Sequence, residues 1–227
     1  MKNCVVMWTI AYLFTVFMPH ERAQAETPLR IVALGDSTTA GTPHFRSPVE
    51  APPDGAGNPE GQYAYWIRKR HPSWEVYNRG VNAQRSDQIA KRFDHDVLAL
   101  KPDILIVLAG VNDLYQGYSL DWVIDYLKSM YDRALKENIK VMACTIIPFD
   151  GATTEVQNRM RKVNEWIKRY TEEHKLGFCD TFHAVEDPKN PGNLISTDDE
   201  YHPDIKGYKK MGDAITDALE QWLHSAQ

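Results

Sequence analysis

The sequence predicts a three-layer α/β/α fold, with about five parallel strands flanked by helices on both faces. Three observations carry that expectation. Short runs rich in Val, Ile and Leu, without polar alternation, read as strands buried on both sides. Between them lie longer segments whose apolar residues recur at helical spacing. The two kinds alternate along the chain, as they do when crossover helices join parallel strands. No internal repeat and no interior linker divides residues 26–227, so one domain is expected there.

The first 25 residues stand apart. Lys2 precedes the apolar run from Cys4 to Met18, and Ala23-Gln24-Ala25 is a small-x-small cleavage site. The run is shorter than the ~20 residues that span a bilayer. A cleaved export signal is therefore expected, and a periplasmic or secreted chain with no stable membrane insertion. Cys4 precedes the apolar run instead of following it, which argues against a lipoprotein.

The elements follow in order. Leu29 to Leu34 is the first strand, and Gly35-Asp36-Ser37 turns out of it. The next segment, 41–62, carries Gly41, Gly55, Gly57 and Gly61 with Pro43, Pro48, Pro52, Pro53 and Pro59. So many breakers leave no room for helix or strand. A loop that long is expected to border the substrate site or to be a solvated insertion. A short helix from Tyr63 to Arg70 ends before Pro72, because proline disfavours helix at the residue preceding it. Trp74 to Asn78 is the second strand. Ser86 caps a helix reaching Leu100, with Ile89, Phe93 and Val97 on its apolar side. Asp103 to Ala109 is the third strand. Ser119 or Asp121 opens a helix on which Val123, Leu127, Met130 and Ala134 share a face. Lys140 to Ile147 is the fourth strand, stopped by Pro148. A helix from Thr154 to His174 follows, then a fifth strand from Leu176 to Phe182. A polar loop from Glu186 to Pro203 leads into the last helix, Ile205 to His224.

Composition narrows the function. The 227 residues are 43% hydrophobic and 25% charged, with a formal charge of −5, which is ordinary globular composition. With no long basic run, nucleic acid and anionic membrane surfaces are poor partners. Of three cysteines, Cys144 and Cys179 lie beyond the signal. Export permits a bridge between them, but both sit in apolar runs and are expected as unpaired, buried thiols. No Cys/His spacing suggests zinc, and no metal or cofactor is expected.

Four stretches fall where strands end or loops begin. Ser37 follows the first strand, Gly80 the second, and Gly110-Val111-Asn112-Asp113 the third; Asp199-Glu200-Tyr201-His202 precedes the last helix. Parallel strands bring their carboxyl ends to one rim, where open α/β sheets bind ligands. Each stretch alone reads as an ordinary turn: Gly, Asp and Ser are turn residues, and Asp199 competes with Asp198 and Asp204, either of which can serve as a helix cap. Together they supply acyl transfer. Ser37 is a weak nucleophile until a base takes its proton, for which His202 is placed. Asp199 can orient the imidazole through its other nitrogen. The N–H groups of Ser37 and Gly80 and the amide of Asn112 are candidate oxyanion donors.

The set resembles the SGNH hydrolases, the GDSL esterase/lipase family, whose four blocks match Gly35-Asp36-Ser37, Gly80, Gly110-Val111-Asn112-Asp113 and Asp199-Glu200-Tyr201-His202. The resemblance runs from about residue 29 to the last helix. It implies a flavodoxin-like fold and a serine hydrolase that needs no metal, with Ser37 as nucleophile, His202 as base and Asp199 as its orienter. It implies Ser37, Gly80 and Asn112 as the oxyanion hole. The substrate would be a small-molecule, lipid or glycan ester: a small acyl ester, a lysophospholipid, a thioester or an O-acetylated sugar. Transfer of the acyl group to a sugar or alcohol is an alternative to hydrolysis, and a non-catalytic binding protein of the same fold a further one. Two departures are Thr38, where many lipase-like members have leucine, and Glu200, where a glycine is frequent. Gly-Asp-Ser-Thr is more similar to members that deacetylate plant polysaccharides.

Overall fold

The computed structural model describes Met1 and residues 28–225; the expected signal segment, Met1 aside, lies outside the described residues. Five parallel strands form the main sheet: β1 (Arg30–Gly35), β4 (Glu75–Gly80), β5 (Ile104–Leu108), β6 (Lys140–Cys144) and β7 (Gly177–Cys179), in the order β4-β1-β5-β6-β7. A separate antiparallel pair, β2 (Phe45–Arg46) and β3 (Ala56–Gly57), lies within the segment expected to hold no strand. Each strand is only two residues long, so the pair fits between the prolines, and Gly57 is itself one of the paired residues.

The strands are apolar on both faces because both are covered. Val32, Leu34, Leu105, Val107, Val141 and Ala143 face one way. There they meet α3 (Ser86–Lys91), α4 (Phe93–Asp96), α6 (Leu120–Lys136) and α7 (Thr154–His174). Ile31, Ala33, Ile104, Ile106 and Met142 face the other way, toward α2 (Tyr63–Arg70) and α9 (Ile205–Ser225). This is period-two alternation between two cores. On α7 the buried residues Met160, Val163, Ile167 and Tyr170 keep the expected spacing; burying each such side chain stabilises the fold by roughly 1.5–3 kcal/mol. Among the described residues no helix is long and apolar enough to cross a membrane.

Several boundaries differ from expectation, each for a tertiary reason. The helix expected over 86–100 is broken into α3, α4 and a 3-10 turn at Leu98–Leu100. At Arg92 the backbone leaves helical geometry (φ −95°, ψ 8°) while its guanidinium reaches inward to the carbonyls of Gly35 and Arg79, 2.7 Å from each. Strand β6 stops at Cys144, not Ile147, because the amide of Asn164 takes over both backbone groups of Ile146. Strand β7 stops at Cys179, where Asp180 caps the one-turn helix α8 (Thr181–Val185) by accepting from the His183 N–H. Cys144 and Cys179 are register partners on β6 and β7, buried and unbridged.

Two further one-turn helices lead away from the sheet: α1 (Ser37–Ala40) after β1, and α5 (Val111–Tyr115) after β5. The chain goes from β1 outward to β4 and then back across to β5. The carboxyl ends of β1 and β5 therefore flank the point where the winding direction reverses, and a crevice opens there.

Candidate active site

Ser37 is the first residue of α1, and its helix is capped by Asp36, whose Oδ1 accepts the Thr38 N–H at 3.0 Å. His202 Nε2 lies 2.9 Å from Ser37 Oγ across 165 residues of sequence. On the other side of the ring, His202 Nδ1 is 2.7 Å from Asp199 Oδ2. Asp199 Oδ1 accepts the N–H groups of Tyr201 (2.9 Å) and His202 (2.8 Å), so the turn between acid and base is wound around the carboxylate itself. That winding puts Glu200 at φ 69°, the left-handed region where a glycine costs nothing. Of the competing carboxylates, Asp204 caps α9 by accepting the Gly207 N–H at 2.7 Å, and Asp198 faces His44 at 3.2 Å.

Partial burial opposes ionisation of Asp199, but the hydrogen bonds from the His202 ring and from the Tyr201 and His202 N–H groups outweigh it. They hold its carboxyl below the usual range. An ionised carboxylate only accepts hydrogen bonds, so the Nδ1 of a neutral imidazole carries the proton and Nε2 presents a lone pair to Ser37.

Asn112, in α5, lines the same pocket as Ser37 and His202. One of its amide hydrogens is directed to the Gln84 carbonyl at 2.9 Å, which fixes the side chain and leaves the second hydrogen unassigned. Its neighbour Asp113 turns the other way. It is fully buried and accepts from both the N–H and the hydroxyl of Ser86, tying α5 to α3.

Gly80 departs from expectation as an oxyanion donor. Its N–H is already engaged by Asn78 Oδ1 at 2.9 Å, and Gly80 does not line the pocket. The glycine is required for close approach, since a Cβ there would lie 2.0 Å from the Ala40 nitrogen. Asn78, near the end of β4, also donates to the Thr39 and Ala40 carbonyls and so fixes the end of α1. In the turn after β4 the N–H groups of Val81, Asn82 and Gln84 go to the Gly35 carbonyl, Glu50 Oε1 and the Val81 carbonyl. The Ala83 N–H has no partner among the described residues. Ala83 lines the pocket with a positive φ of 59°. An alanine gives no sequence signal for that conformation.

Segment 41–62 also departs from expectation: no residue of it lines this pocket. It buttresses the turn from behind, Ser47 Oγ donating to the Gly80 carbonyl at 2.5 Å and Glu50 accepting from Asn82. The pocket encloses about 210 Å³ and is walled on one side by Val111, Ile147, Pro148 and Phe149. Among the described residues no group of three or more His, Cys, Asp or Glu side chains is arranged to hold a metal ion.

Comparison with known proteins agrees with this geometry. The sequence pattern of the GDSL-like lipase/acylhydrolase family matches residues 33–210. The chain belongs to that family. Among its relatives is an acetylxylan esterase of Geobacillus stearothermophilus, 26% identical over 166 residues, covering 66% of this chain and 74% of that one. A G-D-S-L family protein from Desulfitobacterium hafniense is 29% identical, with a TM-score of 0.69 over 84% of this chain and 99% of the other. A G-D-S-L family member from Veillonella parvula shares the fold at 20% identity, with a TM-score of 0.70 over 85% of this chain and 97% of the other. Like other GDSL acylhydrolases, the protein is an ester-bond hydrolase.

One group in this GDSL site titrates unusually. Asp36 is fully buried and its Oδ2 has no hydrogen-bond partner. Burial, reinforced by the charge of Asp113, pushes its carboxyl up to about 7 against the pull of Thr38 and Arg92. In the unfolded chain an Asp ionises near ~3.9. Between those values the folded protein keeps a proton that the unfolded chain has lost, so stability falls as pH rises, by about 1.4 kcal/mol per pH unit. The loss is complete above the folded value and absent below the unfolded one. Asp36→Asn keeps an oxygen to cap α1 and removes the titration. Its urea-denaturation stability relative to wild type is expected to climb from about pH 4 to about pH 7 and then level off; parallel curves across that window would show that Asp36 titrates normally.

Proposed function

We propose that the protein is an exported serine esterase that hydrolyses small-acyl carboxylic esters through an acyl-serine intermediate. The observation that carries this is the continuous Ser37–His202–Asp199 chain of contacts, 2.9 Å and then 2.7 Å, ending on a carboxylate held ionised. Ser37 Oγ attacks the ester carbonyl while His202 Nε2 takes its proton. Asp199 steadies the imidazolium that forms, and His202 returns the proton to the departing alcohol. Water then attacks the acyl-serine by the same route in reverse.

The tetrahedral oxyanion is held by the Ser37 N–H, the free amide hydrogen of Asn112 and the Ala83 N–H, which takes the role expected of Gly80. These donors are fixed before the substrate arrives, so no reorganisation is needed as charge develops. The likeness to an acetylxylan esterase supports an acetyl or similarly short acyl group, as does a cavity of about 210 Å³ that must also admit the alcohol. Export rests on the Lys2, Cys4–Met18 and Ala23-Gln24-Ala25 pattern alone.

The test is labelling by a fluorophosphonate probe together with turnover of p-nitrophenyl esters of increasing chain length. Labelling at Ser37 and fastest turnover of the acetate are expected; fastest turnover of octanoate or laurate would point to lipid or thioester substrates. No labelling and no turnover would favour a binding protein of the same fold. Asn112→Ala is expected to lower kcat on the order of 10²–10³-fold, as loss of an oxyanion donor does elsewhere. An unchanged kcat would remove Asn112 from the hole.

A further inference from the structure

The mouth of the pocket carries an aromatic cluster that the acyl chemistry leaves unused. Tyr115 and Tyr201 are 59% and 47% exposed, although both line the cavity that holds Ser37. Exposed apolar side chains scattered singly are ordinary, but gathered at one cavity they mark a ligand-binding groove. Phe149 meets both rings and is buried. Tyr201 stacks on Phe149, with ring centroids 5.9 Å apart and planes 29° apart. Tyr115 stands edge-on to both, at 6.1 Å and 70° from Phe149 and at 6.4 Å and 84° from Tyr201. The three rings come from α5, from the segment after β6 and from the turn between Asp199 and His202. That last turn is pinned to its neighbour, the Asp150 N–H donating to the Glu200 carbonyl at 2.8 Å. The rings therefore share a rigid frame with the base.

We propose that Tyr115 and Tyr201, backed by Phe149, form a leaving-group subsite for the apolar face of a pyranose ring, so that the preferred ester is an O-acetyl group on a sugar ring. This rests on the esterase reading above and specifies its alcohol side. A pyranose presents axial C–H groups on one face and hydroxyls around its edge. Its apolar face packs on an aromatic ring while the hydroxyls stay in water, which is what a half-exposed tyrosine permits. A long acyl chain gains by being enclosed, and rings half open to solvent enclose little. The Tyr201 backbone N–H also bonds Asp199, so a sugar stacked on Tyr201 packs against the turn that holds acid and base.

The test compares methyl 2,3,4-tri-O-acetyl-β-D-xylopyranoside with ethyl acetate in a pH-stat, for wild type, Tyr115→Leu, Tyr201→Leu, Tyr115→Phe and Tyr201→Phe. The readout is the ratio of kcat/KM on the sugar acetate to that on ethyl acetate. Wild type is expected to favour the sugar acetate. Each leucine variant is expected to lower the ratio about tenfold, mainly through KM, and each phenylalanine variant to restore it, because a ring face is needed and not merely apolar bulk. Ratios that leucine leaves unchanged would overturn the subsite. So would leucine and phenylalanine variants that lose the ratio equally. Turnover of ethyl acetate with labelled Ser37 and no preference for the sugar would overturn the subsite alone. Absence of both labelling and turnover would overturn the esterase reading and the subsite with it.

Discussion

Ser37→Ala is expected to lower kcat by about 10⁴–10⁶-fold and to abolish fluorophosphonate labelling, with the fold intact. The size follows from what the change removes. Without Oγ there is no acyl-enzyme, and only water held near the oxyanion donors remains, as when a nucleophile is deleted from other serine hydrolases. The fold should not notice. Ser37 Oγ contacts His202 and alanine is a good residue in the first turn of a helix. The cap of α1 belongs to Asp36, not to Ser37. Circular dichroism and urea stability would therefore match wild type. Substantial hydrolysis by this variant would show that another residue is the nucleophile.

Asp199→Asn is expected to cost about 10⁴-fold in kcat, more than the loss of any single oxyanion donor. The two oxygens of Asp199 have different duties: Oδ1 accepts two backbone N–H groups and Oδ2 accepts the His202 ring. An asparagine keeps its oxygen toward the two N–H donors, since the opposite orientation would set its NH₂ against them. Its NH₂ then faces His202 Nδ1 and demands a lone pair there. The ring's proton moves to Nε2 and points at Ser37, so the base is in the wrong tautomer while the turn is preserved. A variant within tenfold of wild type would remove Asp199 from the mechanism. Fluorophosphonate labelling of the variant should slow in proportion, because it needs the same proton transfer.

Most of the sheet was legible because strands buried on both faces must be apolar throughout, and those runs lie in the open in the sequence. The positions of Ser37, Asn112, Asp199 and His202 followed from strand ends sharing one rim. What stayed hidden depends on partners far along the chain. The break at Arg92 is made by carbonyls of Gly35 and Arg79, and the early end of β6 by Asn164, 18 residues later. The proposed shift of the oxyanion donor from Gly80 to Ala83 is of the same kind. Glycine marks a tight backbone, but at residue 80 the tightness serves packing on Ala40. Ala83 becomes the free donor only because Glu50, Gly35 and Val81 occupy its neighbours. Tyr115 and Tyr201 look like ordinary helix and loop residues until three segments bring their rings together.

Segment 41–62 has a second consequence, for solubility. Strand β4 is an outer strand of the main sheet, and an outer strand's unpaired backbone groups invite another chain to add on. Phe45, Pro48 and Pro53 share a cleft with Val76, Tyr77 and Asn78 of β4, and Ser47 binds its last carbonyl. A proline-rich neighbour with few N–H groups to offer is itself a poor template for further pairing. The opposite edge, β7, is three residues long and gives an intruder little to grip. Trimming the segment would thus open the β4 edge to self-association and, by removing Ser47 and Glu50, also loosen the turn that carries Ala83.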